Sequence, residues 1–108
     1  MKTAIIVPTY NERENIEFLV KKILALGLKS SKIIIVDDNS PDGTGKIVDS
    51  LAQKYLGKLI VIHREGKLGL GSAYKDGFKT AFKEGAQIVI SMDADLSHDP
   101  KVILKLLG

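Results

Sequence analysis

Ile33-Ile34-Ile35-Val36 is the run that most restricts what this chain can fold into. Four successive β-branched residues without polar alternation suit a strand covered on both faces, and such a strand belongs inside a parallel sheet. The rest of the chain repeats the demand. Thr3 to Val7, Lys58 to His63 and Gln87 to Met92 are further apolar runs, each followed by residues at helical spacing. A first helix is predicted over 12–26, with Ile16, Leu19, Val20, Ile23 and Leu24 on one face, Asn11 as cap and Gly27 as stop. A second is predicted over 44–55, with Ile47, Val48, Leu51 and Ala52 inward, and Gly57 ends it. A third, over 70–83, turns Ala73, Phe78, Ala81 and Phe82 inward. A fourth opens with Asp99 as cap and Pro100 at its first position. Four such units in series predict an α/β fold: a parallel sheet with right-handed crossovers and helices on both faces.

With 108 residues and 44% hydrophobic content, the chain has enough apolar material for one domain spanning 1–108. No apolar run approaches the roughly 18 residues that a membrane span needs. Met1-Lys2 leads straight into a strand, so no signal peptide is expected. The absence of cysteine excludes disulfides and thiolate metal sites and fits a reducing, cytoplasmic setting. The net charge of +3 comes from lysines spread along the chain, which reads as solvated helix faces and no nucleic-acid stripe.

In open parallel sheets, ligands bind beyond the carboxyl ends of the strands. Here those ends carry Pro8 to Glu12, Asp37 to Thr44, His63 to Lys67 and Asp93 to His98, all crowded with polar and turn-forming residues. The opposite loops are short and chemically plain. No Gly-x-Gly-x-x-Gly follows the first strand and no Walker A motif appears, which counts against a nicotinamide dehydrogenase and a P-loop phosphotransferase. A nucleotidyltransferase would need a glycine-rich basic loop after the first strand, and Pro8-Thr9-Tyr10-Asn11-Glu12 is not one.

Asp93-Ala94-Asp95 carries the sharpest chemistry. Positions two apart in an extended chain point to the same side, so both carboxylates can aim at one cation. Mg²⁺ typically takes one or two protein carboxylates and completes its shell with water and phosphate. The other reading of the same residues is a solvated acidic turn capping the next helix. Pro8 fixes the chain past the first strand, Tyr10 offers a flat ring for a base and Glu12 an acceptor; ordinary packing and a helix N-terminus account for the same residues equally well. Asp38 is taken as ligand-facing and Asp37 as structural, with Asn39, Ser40 and Asp42 as turn and capping residues. Arg64 and Lys67, before a glycine-rich helix entry, suit a diphosphate, unless they are simply solvated; for His63 the solvated reading is preferred. His98 is a metal ligand or part of the helix cap, and the second fits hard-metal chemistry better.

Together, Val7-Pro8-Thr9-Tyr10-Asn11-Glu12, Val36-Asp37-Asp38-Asn39-Ser40-Pro41-Asp42-Gly43-Thr44, Arg64-Glu65-Gly66-Lys67-Leu68-Gly69 and Met92-Asp93-Ala94-Asp95-Leu96-Ser97-His98-Asp99-Pro100 resemble the inverting family-2 glycosyltransferases of GT-A fold, and among them the dolichol-phosphate mannosyltransferases. The resemblance implies a Rossmann-like sheet forming the nucleotide-sugar-binding half. It implies transfer of mannose from GDP-mannose to a dolichyl or polyprenyl phosphate at a membrane surface. Pro8, Tyr10, Glu12, Val36 and Asp38 would line the nucleotide pocket. Asp93, the backbone at Ala94, and Asp95 would meet the diphosphate through Mg²⁺ or Mn²⁺, making Asp93 and Asp95 the catalytic pair. Ser97 stands where some members place a metal-contacting glutamine. The alternatives within this resemblance are a UDP-glucose-dependent polyprenyl-phosphate glucosyltransferase and a nucleotide-sugar-binding fragment with little turnover. Family members continue past this length, so a donor-binding part, truncated at its C-terminus and self-associating through an open sheet edge, is expected.

Overall fold

The structure, a computed structural model, describes residues 2–97 and 99–107. Strands β1 (Thr3–Thr9), β2 (Ser31–Asp37), β3 (Leu59–His63) and β4 (Ile88–Ser91) alternate with helices α1 (Ile16–Ala25), α2 (Thr44–Lys54), α3 (Leu70–Lys83) and α4 (Val102–Leu107). The sheet runs in the order β3-β2-β1-β4, and every neighbouring pair is parallel. This is the α/β, Rossmann-like architecture the residue pattern predicts. Ile33, Ile34, Ile35 and Val36 sit in its middle with no more than 1% of their surface exposed.

Strand alternation divides the core into two layers. Ile5, Val7, Ile33 and Ile35 pack with Ile16, Leu19, Val20 and Ile23 of α1, Val48 and Leu51 of α2, and Ile103 of α4. Ala4, Ile6, Ile34 and Val36 pack on the other side against Ala73 and Ala81 of α3. Three helices therefore cover one face and a single helix the other.

Several local expectations are corrected. Helix α1 begins at Ile16, with Asn15 in the cap position, and not at Glu12. Asn11 is no cap: it has φ 55°, and the N–H groups of Asn11, Glu12 and Arg13 are held by side chains of the loop after β2. On α3, Phe78 and Phe82 point outward, 38% and 72% exposed, while Gly77 joins Ala73 and Ala81 on the buried face. The cause is distance. A Cβ at Gly77 would lie 2.6 Å from Ile6 Cγ2, so the helix rests on β1 through small residues that leave no room for a ring. Strand β4 lies at the edge; only Ile90 is buried, while Ile88 and Val89 are half-buried. Its apolar run announced a strand covered on both faces, and an edge position gives it less. Gly27 ends α1 at φ 67°, with its N–H on the Leu24 carbonyl. Asp99 receives the Lys101 N–H at 3.0 Å, one turn ahead of α4.

Candidate active site

Chain order reverses between β1 and β4: β2 and β3 follow on one side of β1, and β4 joins on the other. The connections leaving adjacent strands run to opposite faces of the sheet at such a reversal, and the crevice between them is where open α/β sheets take ligands. A cavity of about 350 Å³ lies there. Its walls bring together Pro8, Tyr10, Glu12, Asp38, Asp93, Ala94 and Asp95, seven of the residues the motifs single out. Two others are not in the wall. Val36 is 0% exposed, its side chain packed in the layer under α3, and no part of it lines the cavity. Ser97 is also outside the lining; it is exposed and donates its N–H to Asp95 Oδ1 at 2.9 Å.

The loop after β2 presents the loop after β1. Ser40 Oγ, Thr44 Oγ1 and Asp42 Oδ2 accept the successive N–H groups of Asn11, Glu12 and Arg13 at 2.9, 3.1 and 3.1 Å. Asp37, 1% exposed, accepts the hydroxyls of Thr9 and Ser40, each at 2.7 Å, and the Ser40 N–H. Burial pushes the Asp42 carboxyl up, but hydrogen bonds from Thr44 and from the Arg13 N–H outweigh it and leave the group below the usual aspartate range. Turn chemistry could be read from Asn39, Ser40, Asp42 and Gly43. That Ser40, Asp42 and Thr44 reach a loop some thirty positions earlier could not, because nothing local encodes it. The lacing holds Tyr10 and Glu12 at the cavity.

Arg64 is the clearest revision. Its side chain is 3% exposed and lies against Asp38, not in the path of a diphosphate. Nε and Nη2 grip the two Asp38 oxygens at 2.6 and 3.1 Å. Nη1 reaches Ser72 Oγ and Asp76 Oδ2, and Nη2 also reaches the Gly69 carbonyl. The Asp38 hydrogen bond is the main reason the guanidinium is held even more firmly protonated than usual. Asp38 Oδ2 receives the Leu68 N–H as well. Asp38 is thus an acceptor fixed in the cavity wall, and the 64–69 loop is pinned to it. His63, by contrast, is half-exposed and pairs with Asp49 at 2.7 Å, outside the cavity lining.

The carboxylate pair arrives by a different route from the one its spacing suggests. Strand β4 stops at Ser91, and Ala94-Asp95 already turn, so strand alternation does not aim the two acids. Leu96 takes φ 62°, a costly conformation for a bulky residue, while its side chain packs on the core layer shared by α1, α2 and α4. Asp93 and Asp95 nevertheless reach one cavity, with Ala94 buried between them. Tyr74 donates its hydroxyl to Asp93 Oδ1 at 3.5 Å; burial and then the Asp93 charge raise its pKa. Two carboxylates with hard oxygen donors fit Mg²⁺ or Mn²⁺, which draw their remaining ligands from water and phosphate. Among the described residues no set of three or more acidic, histidine or cysteine side chains forms a closed metal cage. His98 lies outside the described residues.

The profile described as Glycosyl transferase family 2 matches residues 4–108, nearly the whole chain. The chain belongs to this family. A relative named polyprenol monophosphomannose synthase, from Mycolicibacterium smegmatis, is 42% identical over 98% of this chain and 40% of its own length. The Pyrococcus furiosus protein named dolichol-phosphate mannosyltransferase is 46% identical over 99% of this chain and 29% of its own. The chain therefore spans well under half of either relative. Among solved structures, the mannosyltransferase PcManGT from Pyrobaculum calidifontis, in complex with GDP-Man and Mn²⁺, superposes with a TM-score of 0.70 at 28% identity. That match covers 87% of this chain and 27% of PcManGT. Among the described residues of this family-2 chain, no helix is long and apolar enough to cross a membrane.

Proposed function

We propose that this chain forms the donor site of an inverting glycosyltransferase that moves mannose from GDP-mannose to a dolichyl or polyprenyl phosphate. The observation that supports it is the meeting, in one cavity at the strand-order reversal, of Tyr10, Glu12 and Asp38 with Asp93 and Asp95. In this reading the base lies on Tyr10 and its N–H groups reach the acceptor-only carboxylates of Glu12 and Asp38. Asp93 and Asp95 would hold Mg²⁺ or Mn²⁺ beside the diphosphate, and the ion would supply positive charge against the charge that builds on the departing diphosphate. The acceptor phosphate is already anionic near neutral pH, so its oxygen needs no strong base. A polyprenyl phosphate resides in a bilayer, so the working protein acts at a membrane surface, which we place on the cytoplasmic side. Val36 and Ser97 are left out of the donor contacts because neither lines the cavity.

Calorimetry of GDP and UDP, with Mg²⁺, with Mn²⁺ and in chelator, tests the reading. GDP is expected to bind more tightly than UDP and to depend on the metal. Asp95→Ala is expected to remove that dependence and weaken GDP about tenfold or more. Equal GDP affinity in chelator and in Asp95→Ala overturns the metal assignment. A preference for UDP moves the donor to UDP-glucose and leaves the metal pair standing.

A further inference from the structure

Among the described residues, Lys67 is the only cation lining the cavity, which also carries Glu12, Asp38, Asp93 and Asp95. Asp38 is already compensated by Arg64. The Lys67 ammonium makes none of the described salt bridges. It lies 4.7 Å from the centroid of the Tyr10 ring, another part of the same wall. An ammonium on an aromatic face and a base stacked on it compete for the same surface.

The backbone below Lys67 is fixed, while its tip rests on the Tyr10 ring without a described salt bridge. Arg64 and the Leu68 N–H fasten the loop to Asp38, and Asn39 Nδ2 fastens it through the Glu65 carbonyl. Lys67 itself is exposed, on a flexible four-carbon stem. A cation–π contact at an exposed site is worth roughly 2- to 5-fold in an equilibrium constant. Base stacking on an aromatic ring is worth roughly 5- to 150-fold. A base wins the ring, and it wins by more when the displaced ammonium has an anion to go to.

We propose that Lys67 is a ring-to-phosphate exchange residue: it covers Tyr10 in the empty site and moves to the diphosphate of an entering nucleotide, opening the ring to the base. The proposal rests on the reading of the cavity as a nucleoside-diphosphate site and adds a selection within it. A nucleoside without phosphates must displace the ammonium with nothing to receive it. A nucleoside diphosphate supplies the receiver. The site thereby favours the phosphorylated ligand even before a metal enters.

The test measures guanosine and GDP binding in chelator, so that a metal cannot mask the ammonium, with wild type, Lys67→Gln, Lys67→Arg and Tyr10→Leu/Lys67→Gln. Lys67→Gln is expected to weaken GDP roughly tenfold and to tighten guanosine roughly 2- to 5-fold, two changes of opposite sign. Lys67→Arg keeps both contacts and should bind GDP as wild type does. The gain for guanosine should vanish in the double variant, which has no ring to uncover. The chain has no tryptophan, so ultraviolet emission comes from its three tyrosines, and the part of a ligand-induced change that is lost in the Tyr10→Leu background reports on Tyr10. If Lys67→Gln weakens both ligands, or changes neither, the exchange is wrong while the donor site stands. If the wild type binds neither GDP nor UDP, with or without metal, the donor site is wrong and the exchange falls with it.

Discussion

At the scale of single residues, Arg64 shows how the site is held. Five hydrogen bonds leave its guanidinium, two to Asp38 and one each to Ser72, Asp76 and the Gly69 carbonyl, which matches its full donor capacity. The side chains of Arg64 and Asp38 are 3% and 8% exposed. Removing one member of such a pair leaves a buried charge with no partner, which costs more than losing the pair altogether. Arg64→Met is therefore expected to lose about 3–5 kcal/mol in urea unfolding. The double variant Arg64→Met/Asp38→Leu should recover a large part of that loss. If the single and double variants lose the same amount, the ion pair is not what fastens the 64–69 loop. From sequence, Arg64 reads as a phosphate ligand because a cation before a glycine-rich helix entry is a fair signal for one. Its partner stands 26 positions earlier, so only the folded chain could show that its charge is already answered.

At the scale of elements, α3 spans 70–83 as its spacing predicts, with Ala73 and Ala81 inward as expected but Phe78 and Phe82 outward. Hydrophobicity assigns Phe78 and Phe82 to the core; packing assigns Gly77, Ala73 and Ala81, because β1 and the helix approach too closely for rings. Gly77→Ala sets two effects against each other. Helix propensity favours alanine by about 1 kcal/mol. Forcing a methyl to 2.6 Å from Ile6 Cγ2 in a filled core is overpacking, which costs typically about 1–3 kcal/mol. The clash is expected to win, with a net loss of about 1 kcal/mol and a lower melting temperature by circular dichroism. A stabilised variant would mean that α3 can lift off β1 without cost. The stripe of small residues at four-residue spacing was in the sequence and was the available clue.

At the scale of the whole molecule, the sheet is unequal at its two edges. Strand β3 ends one side; β4 ends the other, with Ile88 and Val89 half-buried and a pit of about 290 Å³ between Tyr74, Ile90, Met92, Val102 and Leu106. Phe78, Phe82, Leu104 and Leu106 are exposed as well. Open ladders beside apolar surface promote pairing between chains. The 108-residue chain is therefore expected to self-associate as its concentration rises, and Ile88→Lys, which places a charge on that strand, to reduce it. Light scattering from a compact monomer at high concentration would count against this edge as an adhesive surface. The sequence by itself determined the alternation of strands and helices, the parallel sheet, the end at which polar loops gather and the motifs that mark the family. Those depend on periodicity and turn chemistry, which neighbours in the chain carry. Tertiary structure decided the strand order, and so the reversal between β1 and β4 where the cavity opens. It also decided that Asp93 and Asp95 meet by a turn, that Val36 serves the core, that Arg64 is paired and that Lys67 is not. Each of these depends on which distant side chain arrives nearby, and no local pattern contains that information.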